Sequence, residues 1–519
     1  MPKILERYRG AIGFGLLLAG FCTLSVWRGP DANWDLRNYH LYNPFALLNG
    51  KFGYDLVPAQ IQTFNAPQLD LLYYWLRLHL NAWPVLLACI LSLPHVAGAM
   101  LALCIALHCI AADIPGRAVL AFMAAVIGAT GASALPTLGA SDSDMVSGSL
   151  CLAGLLFLLT ACTRPSRLRY YGFAGLAFGA AFGLKLTAAP FCAGAIAALL
   201  AGPGAQIKKR IPAVAVFGMA GVAAACLLGG PWWVVLTHRF GSPVFPYFNN
   251  VFQSPFYAPV RLADDRFKPH GFLQVVFYPF FWAVRATPGI AELPLCDPRM
   301  AIAYLALVAI AVQAVRAGGW PDAKTRVLSV FFCTAYVMWE AQFSIQRYLA
   351  PLEFLSAMPV LVAARRWRWL PWGAMAVMAA FAWGLTVYPE WGHARRHGPA
   401  VRLQMPALPD DALVVMMDDA PMAYVAAFAS PHVRFVGANN NLIRPGQDTV
   451  LARQIEATIR DARGPIWGLD DPTEFPGQDA AVLRYYKLKR VDGCAKIVSN
   501  LDGGVLRLCP LTSEAAQKK

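Results

Sequence analysis

The sequence predicts an α-helical polytopic membrane protein with about eleven transmembrane helices and a small extracytoplasmic α/β domain at the C-terminus. Three observations predict it. Of 519 residues, 57% are hydrophobic and 14% charged, against roughly 25% charged in soluble proteins. Apolar runs near the roughly 20 residues that a bilayer requires recur from the N-terminus to about residue 388. Basic residues collect in alternate connections between those runs, the pattern that orients helices in a membrane.

The net charge of +14 would also suit nucleic acid. The short basic clusters between apolar runs argue against it, and anionic lipid head groups are their expected partners. The candidate spans are 10–27, 84–111, 118–135, 145–162, 171–184, 188–202, 212–233, 299–315, 327–343, 349–364 and 370–388. The first follows Lys3, Arg7 and Arg9, as a signal peptide would. No small-residue cleavage site comes after it, so it reads as an uncleaved helix. With a cytoplasmic N-terminus, the cytoplasmic connections hold Arg117, Arg164/Arg167/Arg169, Lys208-Lys209-Arg210, Arg316/Lys324/Arg326 and Arg365-Arg366/Arg368. Every one is basic. The aromatic segment 271–288 contains Pro279 and is placed at the outer interface, because counting it as a span would invert each later loop.

Residues 1–388 then form a transmembrane module with two large outer loops, 28–83 and 234–298. Residues 389–519 form the outer domain, whose strand-like runs begin at Leu413, Val433 and Gly504 around a helical stretch, Asp448 to Ala462. Most of the twelve cysteines sit singly in apolar helices, where cysteine packs as a small hydrophobe. Cys494 and Cys509 differ. They flank a predicted hairpin turning at Asp502-Gly503-Gly504 and would pair as a disulfide in an oxidising compartment.

The first outer loop is the most informative stretch. It runs Asp31-Ala-Asn33-Trp-Asp35-Leu-Arg-Asn-Tyr39-His40 to Pro44 and Gly50, then Tyr54-Asp55, then Asn65-Ala66-Pro67-Gln68-Leu69-Asp70 to Tyr73-Tyr74-Trp75-Leu76. Asn33 can cap a helix that ends at Gly50. That helix is amphipathic and aromatic, which predicts an interfacial position. Asp35 sits in its first turn, just above the first span. Asp70 to Leu80 reads as a second interfacial helix, and Asp55 and Asp70 as solvated or turn residues.

This layout resembles the GT-C superfamily of membrane glycosyltransferases, and within it the aminoarabinose and mannosyl transferases. The resemblance rests on Asp35, Tyr39, Gly50 and Ala66-Pro67-Gln68-Leu69 through Tyr73-Tyr74-Trp75-Leu76. It is strongest over residues 1–85 and does not cover the C-terminal domain. Two departures stand out: Leu36 replaces a second acid, and one proline of a Pro-Pro pair is absent. The first weighs against a paired-carboxylate or metal-dependent mechanism. The resemblance implies a polyprenyl-phosphate sugar as donor, a glycan, lipid or protein as acceptor, and no certain cofactor. In that chemistry a carboxylate takes the proton of an acceptor hydroxyl, and cations meet the departing phosphate. Asp35 is the expected base, with Asp31 as the fallback. The competing reading of Asp35 is a carboxylate that favours a helix N-terminus.

Arg347, in Gln346-Arg347-Tyr348-Leu-Ala-Pro351, resembles an Arg-Tyr-x-x-Pro stretch found late in many such enzymes. Its planar fork suits a donor phosphate. Lys185, between two apolar runs, is the second phosphate candidate. For both, the alternative is snorkelling to head groups. Glu340 is read as a partner of Arg347. Asp142 and Asp144 either cap a helix or touch sugar hydroxyls. His238 and Arg239, with the aromatic stretch to Asn249, suit sugar stacking or an aromatic belt equally. Tyr39 and His40 are candidates for positioning substrate. The sequence shows no compelling metal site and none of the common nucleotide or zinc motifs. A transporter or flippase, a glycan polymerase or ligase, and a scaffold remain as alternatives. The expected location is the inner (plasma) membrane, with the N-terminus cytoplasmic.

Overall fold

A computed structural model describes residues 2–164, 168–202, 210–284, 290–394, 398–501 and 505–513. Its helices, in chain order, are α1 (Pro2–Arg28), α2 (Tyr42–Leu48), α3 (Gln68–Leu80), α4 (Pro84–Leu91), α5 (Leu93–Cys109), α6 (Arg117–Ala129), α7 (Asp144–Thr163), α8 (Arg169–Leu184), α9 (Ala189–Ala201), α10 (Ile211–Leu228), α11 (Gly230–Phe240), α12 (Asn249–Phe252), α13 (Phe272–Val284), α14 (Arg299–Arg316), α15 (Ala323–Gln342), α16 (Ala350–Phe354), α17 (Ala357–Ala364), α18 (Leu370–Leu385), α19 (Val450–Arg460) and α20 (Asp479–Tyr485). A helix stands over every predicted span. Among the described residues, six stretches are long and apolar enough to cross a membrane: 10–28, 84–109, 144–163, 211–228, 299–316 and 346–364. Arg167, Lys208, Lys209 and the predicted turn at Asp502-Gly503-Gly504 lie outside the described residues.

Small residues let the helices approach. Gly175, Gly179 and Gly183 recur every fourth residue on α8. A Cβ on Gly179 would lie 2.0 Å from the Gly221 carbonyl of α10, and one on Gly175 would lie 2.1 Å from the Phe217 carbonyl. Backbones in contact gain dispersion that lipid cannot supply.

The span predicted over 118–135 is not one helix. It stops at Ala129, and the backbone of 130–134 is irregular. Irregular backbone among apolar helices needs its polar groups satisfied internally, and buried charges do this here. Arg299 is fully buried and donates to the carbonyls of Ile127 (2.7 Å) and Thr130 (2.8 Å). Asp297 accepts the Ala132 N–H at 2.8 Å, and Glu353 accepts those of Ser133 and Ala134 at 2.8 and 2.9 Å.

The C-terminal part folds as a seven-stranded sheet: β1 (Leu403–Gln404), β2 (Leu413–Met416), β3 (Arg434–Gly437), β4 (Ile466–Asp470), β5 (Leu488–Arg490), β6 (Ala495–Ser499) and β7 (Leu506–Ser513). The order is β1-β6-β7-β4-β2-β3, with β5 also on β7. Strands β3, β2 and β4 are parallel, and the remaining pairings are antiparallel. Every residue of β2 is buried, as a central parallel strand requires. Helix α19 makes the crossover from β3 to β4, capped by Thr449, whose hydroxyl accepts the Ala452 N–H at 3.2 Å. Its Leu451, Ile455 and Ile459 are buried at helical spacing. Cys494 and Cys509 form the predicted disulfide.

The first loop is built into this sheet. Leu56 bridges in parallel to Val436, so a residue of the loop closes the β3 edge. Lys51 is 2% exposed and donates to the Pro431 carbonyl at 3.1 Å. Asp55 sits 3.0 Å from the Lys51 ammonium and accepts the Phe435 N–H at 2.9 Å. Burial lifts the Asp55 carboxyl to about 6, against the pull of Lys51. This corrects the solvated reading of Asp55. The interfacial reading of the Asn33–Gly50 segment is corrected too. Residues 38–46 are buried on all sides, and Leu36, Tyr39, Leu41 and Tyr42 share one core with Val414, Met422 and Phe435.

Candidate functional site

The first loop enters its helical segment through a cap. The Asn33 side-chain oxygen accepts the Leu36 N–H at 2.7 Å, the role that the sequence assigned it. A π-helical turn, Leu36–His40, follows and gives way to α2, which ends just before Gly50 at positive φ. Such turns occur often at functional sites. Asp35 makes no cap hydrogen bond of its own. Its carboxylate instead receives the Arg347 guanidinium, through Nη1 to Oδ2. Arg347 reaches it from a single 3-10 turn, Gln346–Leu349, that follows α15.

Arg347 has a second acid, which the sequence reading missed. Its Nε lies 3.2 Å from Glu292 Oε2. Burial lifts the Glu292 carboxyl above its ordinary range, and Arg347 opposes that. Glu292 stands in a short apolar stretch, Ile290 to Cys296, with nothing in the sequence to pair it to Arg347. The guanidinium also faces the rings of Tyr348, at 5.2 Å, and Trp391, at 5.4 Å. Glu340, expected as the partner of Arg347, is not. It is buried near the end of α15, one turn from Tyr336, and its Oε1 has no hydrogen-bond partner. Helix α15 ends at Gln342, so the two residues do not share a helix although both lie near the end of that span.

Lys185 also approaches Tyr348, its ammonium 5.7 Å from the ring centre. It lies between α8 and α9, paired with Asp144 and 3.7 Å from Asp142. Asp142 also accepts the Asp144 N–H at 2.9 Å, so it caps locally as one reading held, while both carboxylates meet Lys185. Asp142 Oδ2 and Asp144 Oδ2 are buried without a hydrogen-bond partner. A narrow gap with room for about one water molecule opens beside Asp144. Arg347, Tyr348, Cys151, Phe191 and Pro351 are among its lining residues.

Asp31, the fallback base, is committed elsewhere. One oxygen accepts the Ser141 N–H at 2.7 Å and the Ser141 hydroxyl at 2.6 Å, and the other accepts the Asn33 N–H at 3.0 Å. It ties the Asp35 loop to the loop of Asp142 and Asp144. Tyr39 is buried one turn after Asp35 and packs on the His40 ring at 4.2 Å. His40 is fully buried, with Nδ1 3.0 Å from Asp70 Oδ1. Asp70 is thus a buried partner and not a solvated residue.

His238 and Arg239 sit elsewhere. They occupy the last turn of α11, where His238 is exposed and Arg239 donates to the Phe52 carbonyl. Part of the aromatic stretch after them is core, where Phe240, Phe245 and Phe256 pack ring against ring with Phe64, while Phe248 is exposed. The Asn249 amide is spent on the carbonyls of Ser254, Tyr257 and Ala258. Among the described residues no group of three or more His, Cys, Asp or Glu is placed to hold a metal ion.

The arrangement joins four carboxylates, Asp35, Glu292, Asp142 and Asp144, to two cations, Arg347 and Lys185, beside a narrow gap. Such a site can present a carboxylate to a hydroxyl, and its cations meet a phosphate only by exchanging it for an acid they already hold.

No family model matches the chain. No curated protein matches it either. Among solved structures it is similar to the Archaeoglobus fulgidus oligosaccharyltransferase in the apo form, with a TM-score of 0.45 at 12% identity, over 88% of this chain and 69% of that one.

Proposed function

We propose that this chain is an inverting glycosyltransferase that moves a sugar from a polyprenyl-phosphate donor to an extracytoplasmic acceptor: a cell-envelope glycan, a lipid or a protein. Residues 1–388 are the membrane module, in the inner membrane with the N-terminus cytoplasmic. Residues 389–519 lie on the far side. The Asp35–Arg347 contact carries this reading. It joins residues 312 positions apart that were singled out separately, one as base and one as phosphate ligand.

In the proposed reaction the acceptor hydroxyl gives its proton to Asp35. Its oxygen bonds to the anomeric carbon from the face opposite the phosphate. The bond from that carbon to the phosphate oxygen breaks, and its electron pair leaves on the phosphate, so one displacement inverts the centre. Arg347 and Lys185 meet the developing charge. Asp144 is assigned to substrate contact and Tyr39 and His40 to the support behind Asp35, while Glu340, His238 and Arg239 are given no part in the site.

The test is transfer from a panel of radiolabelled polyprenyl-phosphate sugars by purified protein. Asp35→Asn, if folded, should abolish transfer, and Arg347→Ala should lower it roughly a hundredfold or more. Transfer unchanged in both would remove these residues from the chemistry. No transfer by folded wild type across the donor panel and a panel of acceptors would count against the reaction class.

A further inference from the structure

The assigned base and the assigned phosphate ligand occupy each other. Asp35 Oδ2 is taken by Arg347 Nη1. While the guanidinium holds Oδ2, that oxygen is not presented to a hydroxyl, and only Oδ1 is left. The groups around this contact are Glu292 on Arg347 Nε, Lys185 with Asp142 and Asp144 beside Tyr348, and Tyr39 one turn below. None of these offers Asp35 a second cation. Arg347 does have a second anion, Glu292, so its guanidinium stays anchored at one edge when the other changes partner. A phosphate entering beside Arg347 would compete for the Nη edge. Arginine pairs with phosphate through parallel N–H bonds, which a single-contact carboxylate does not match.

We propose that Arg347 masks Asp35 until a phosphate group takes its place, so that donor binding itself releases the base. Glu292 is the positioning residue that keeps the guanidinium in the site during the exchange. The inference rests on the glycosyltransferase reading and adds an order to it: the acceptor hydroxyl meets an available carboxylate only when a phosphate donor is present. Water arriving at an empty site meets a carboxylate already bound.

The test is infrared difference spectroscopy on full-length protein in detergent. The carboxylate stretch of Asp35 is isolated by subtracting the Asp35→Asn spectrum. If that variant does not fold, Asp35→Glu supplies the assignment through its shifted band. The probes are polyprenyl phosphate and, separately, inorganic phosphate, with binding followed in parallel. Movement of the Asp35 band on saturation with polyprenyl phosphate is the expected result, and loss of that movement in Arg347→Gln would tie it to the exchange. Movement with inorganic phosphate as well would show that the phosphate alone suffices. Saturable binding with a stationary Asp35 band would overturn the masking proposal and leave the glycosyltransferase reading standing. No binding of polyprenyl phosphate would remove the donor assignment and this proposal together.

Discussion

His40 and Asp70 share a buried contact, Nδ1 to Oδ1 at 3.0 Å, with side-chain exposures of 0% and 4%. Burial alone pushes an imidazole down. The Asp70 carboxylate outweighs it here, with Asp35 and Asp142 adding to the effect, and His40 is lifted from 6.5 to about 9. The folded protein therefore holds this proton more tightly than the unfolded chain. That stabilisation is complete below about pH 6.5 and is lost as pH rises through 9. Melting temperature in detergent should fall across that window, and His40→Gln should flatten the fall. An unchanged profile in the variant would show that the pair does not act this way.

Lys51 and Asp55 clamp the first loop to the sheet edge. Lys51→Ala leaves a buried carboxylate without its counter-ion, which costs about 3 kcal/mol. Limited proteolysis should then cut near 389–402 faster than in wild type. Lys51→Arg, which restores charge with the wrong shape, should recover only part of the protection.

Arg299 satisfies the broken backbone after α6 with a planar fork, donating to two carbonyls and to Asp297 at 2.8 Å. Arg299→Lys keeps the charge and loses the fork. A drop in thermal stability of about 3 kcal/mol is expected, because buried carbonyls are left unpaired. A variant as stable as wild type would show that water or a neighbour replaces the contacts.

The Cys494–Cys509 disulfide closes a stretch with a sequence separation of 15. A loop of that size constrains the unfolded chain by about 3 kcal/mol. Cys494→Ser with Cys509→Ser should lower the melting temperature of the C-terminal sheet. Differential maleimide labelling should find these two thiols only after reduction.

What the sequence made legible was local. The Asn33 cap, the Gly50 stop and the helix over each apolar run follow from spacing within one segment. The Asp35–Arg347 contact was approached by choosing each residue for its own chemistry, since both lie at the same ends of their spans. Glu292 and the Arg299 network were not legible, because apart from Asp297, two positions from Arg299, their partners stand 55 to 220 positions away and no periodicity connects them. Asp55, Asp70 and part of the aromatic stretch after Arg239 misled for the same reason. Their polarity and aromaticity suited a surface until the C-terminal sheet was laid over them.

That covering has a consequence for how the chain is made. Leu56 closes the β3 edge at Val436, 380 positions later. The first loop leaves the synthesis machinery early and waits for strands that come last. Closing so long a stretch is entropically slow. The segment that carries Asp35 thus gains its final wall only after the strand of Val436 has been made, so a product terminated before that strand would expose Leu36, Leu41 and Tyr42 and become a target for quality-control proteases.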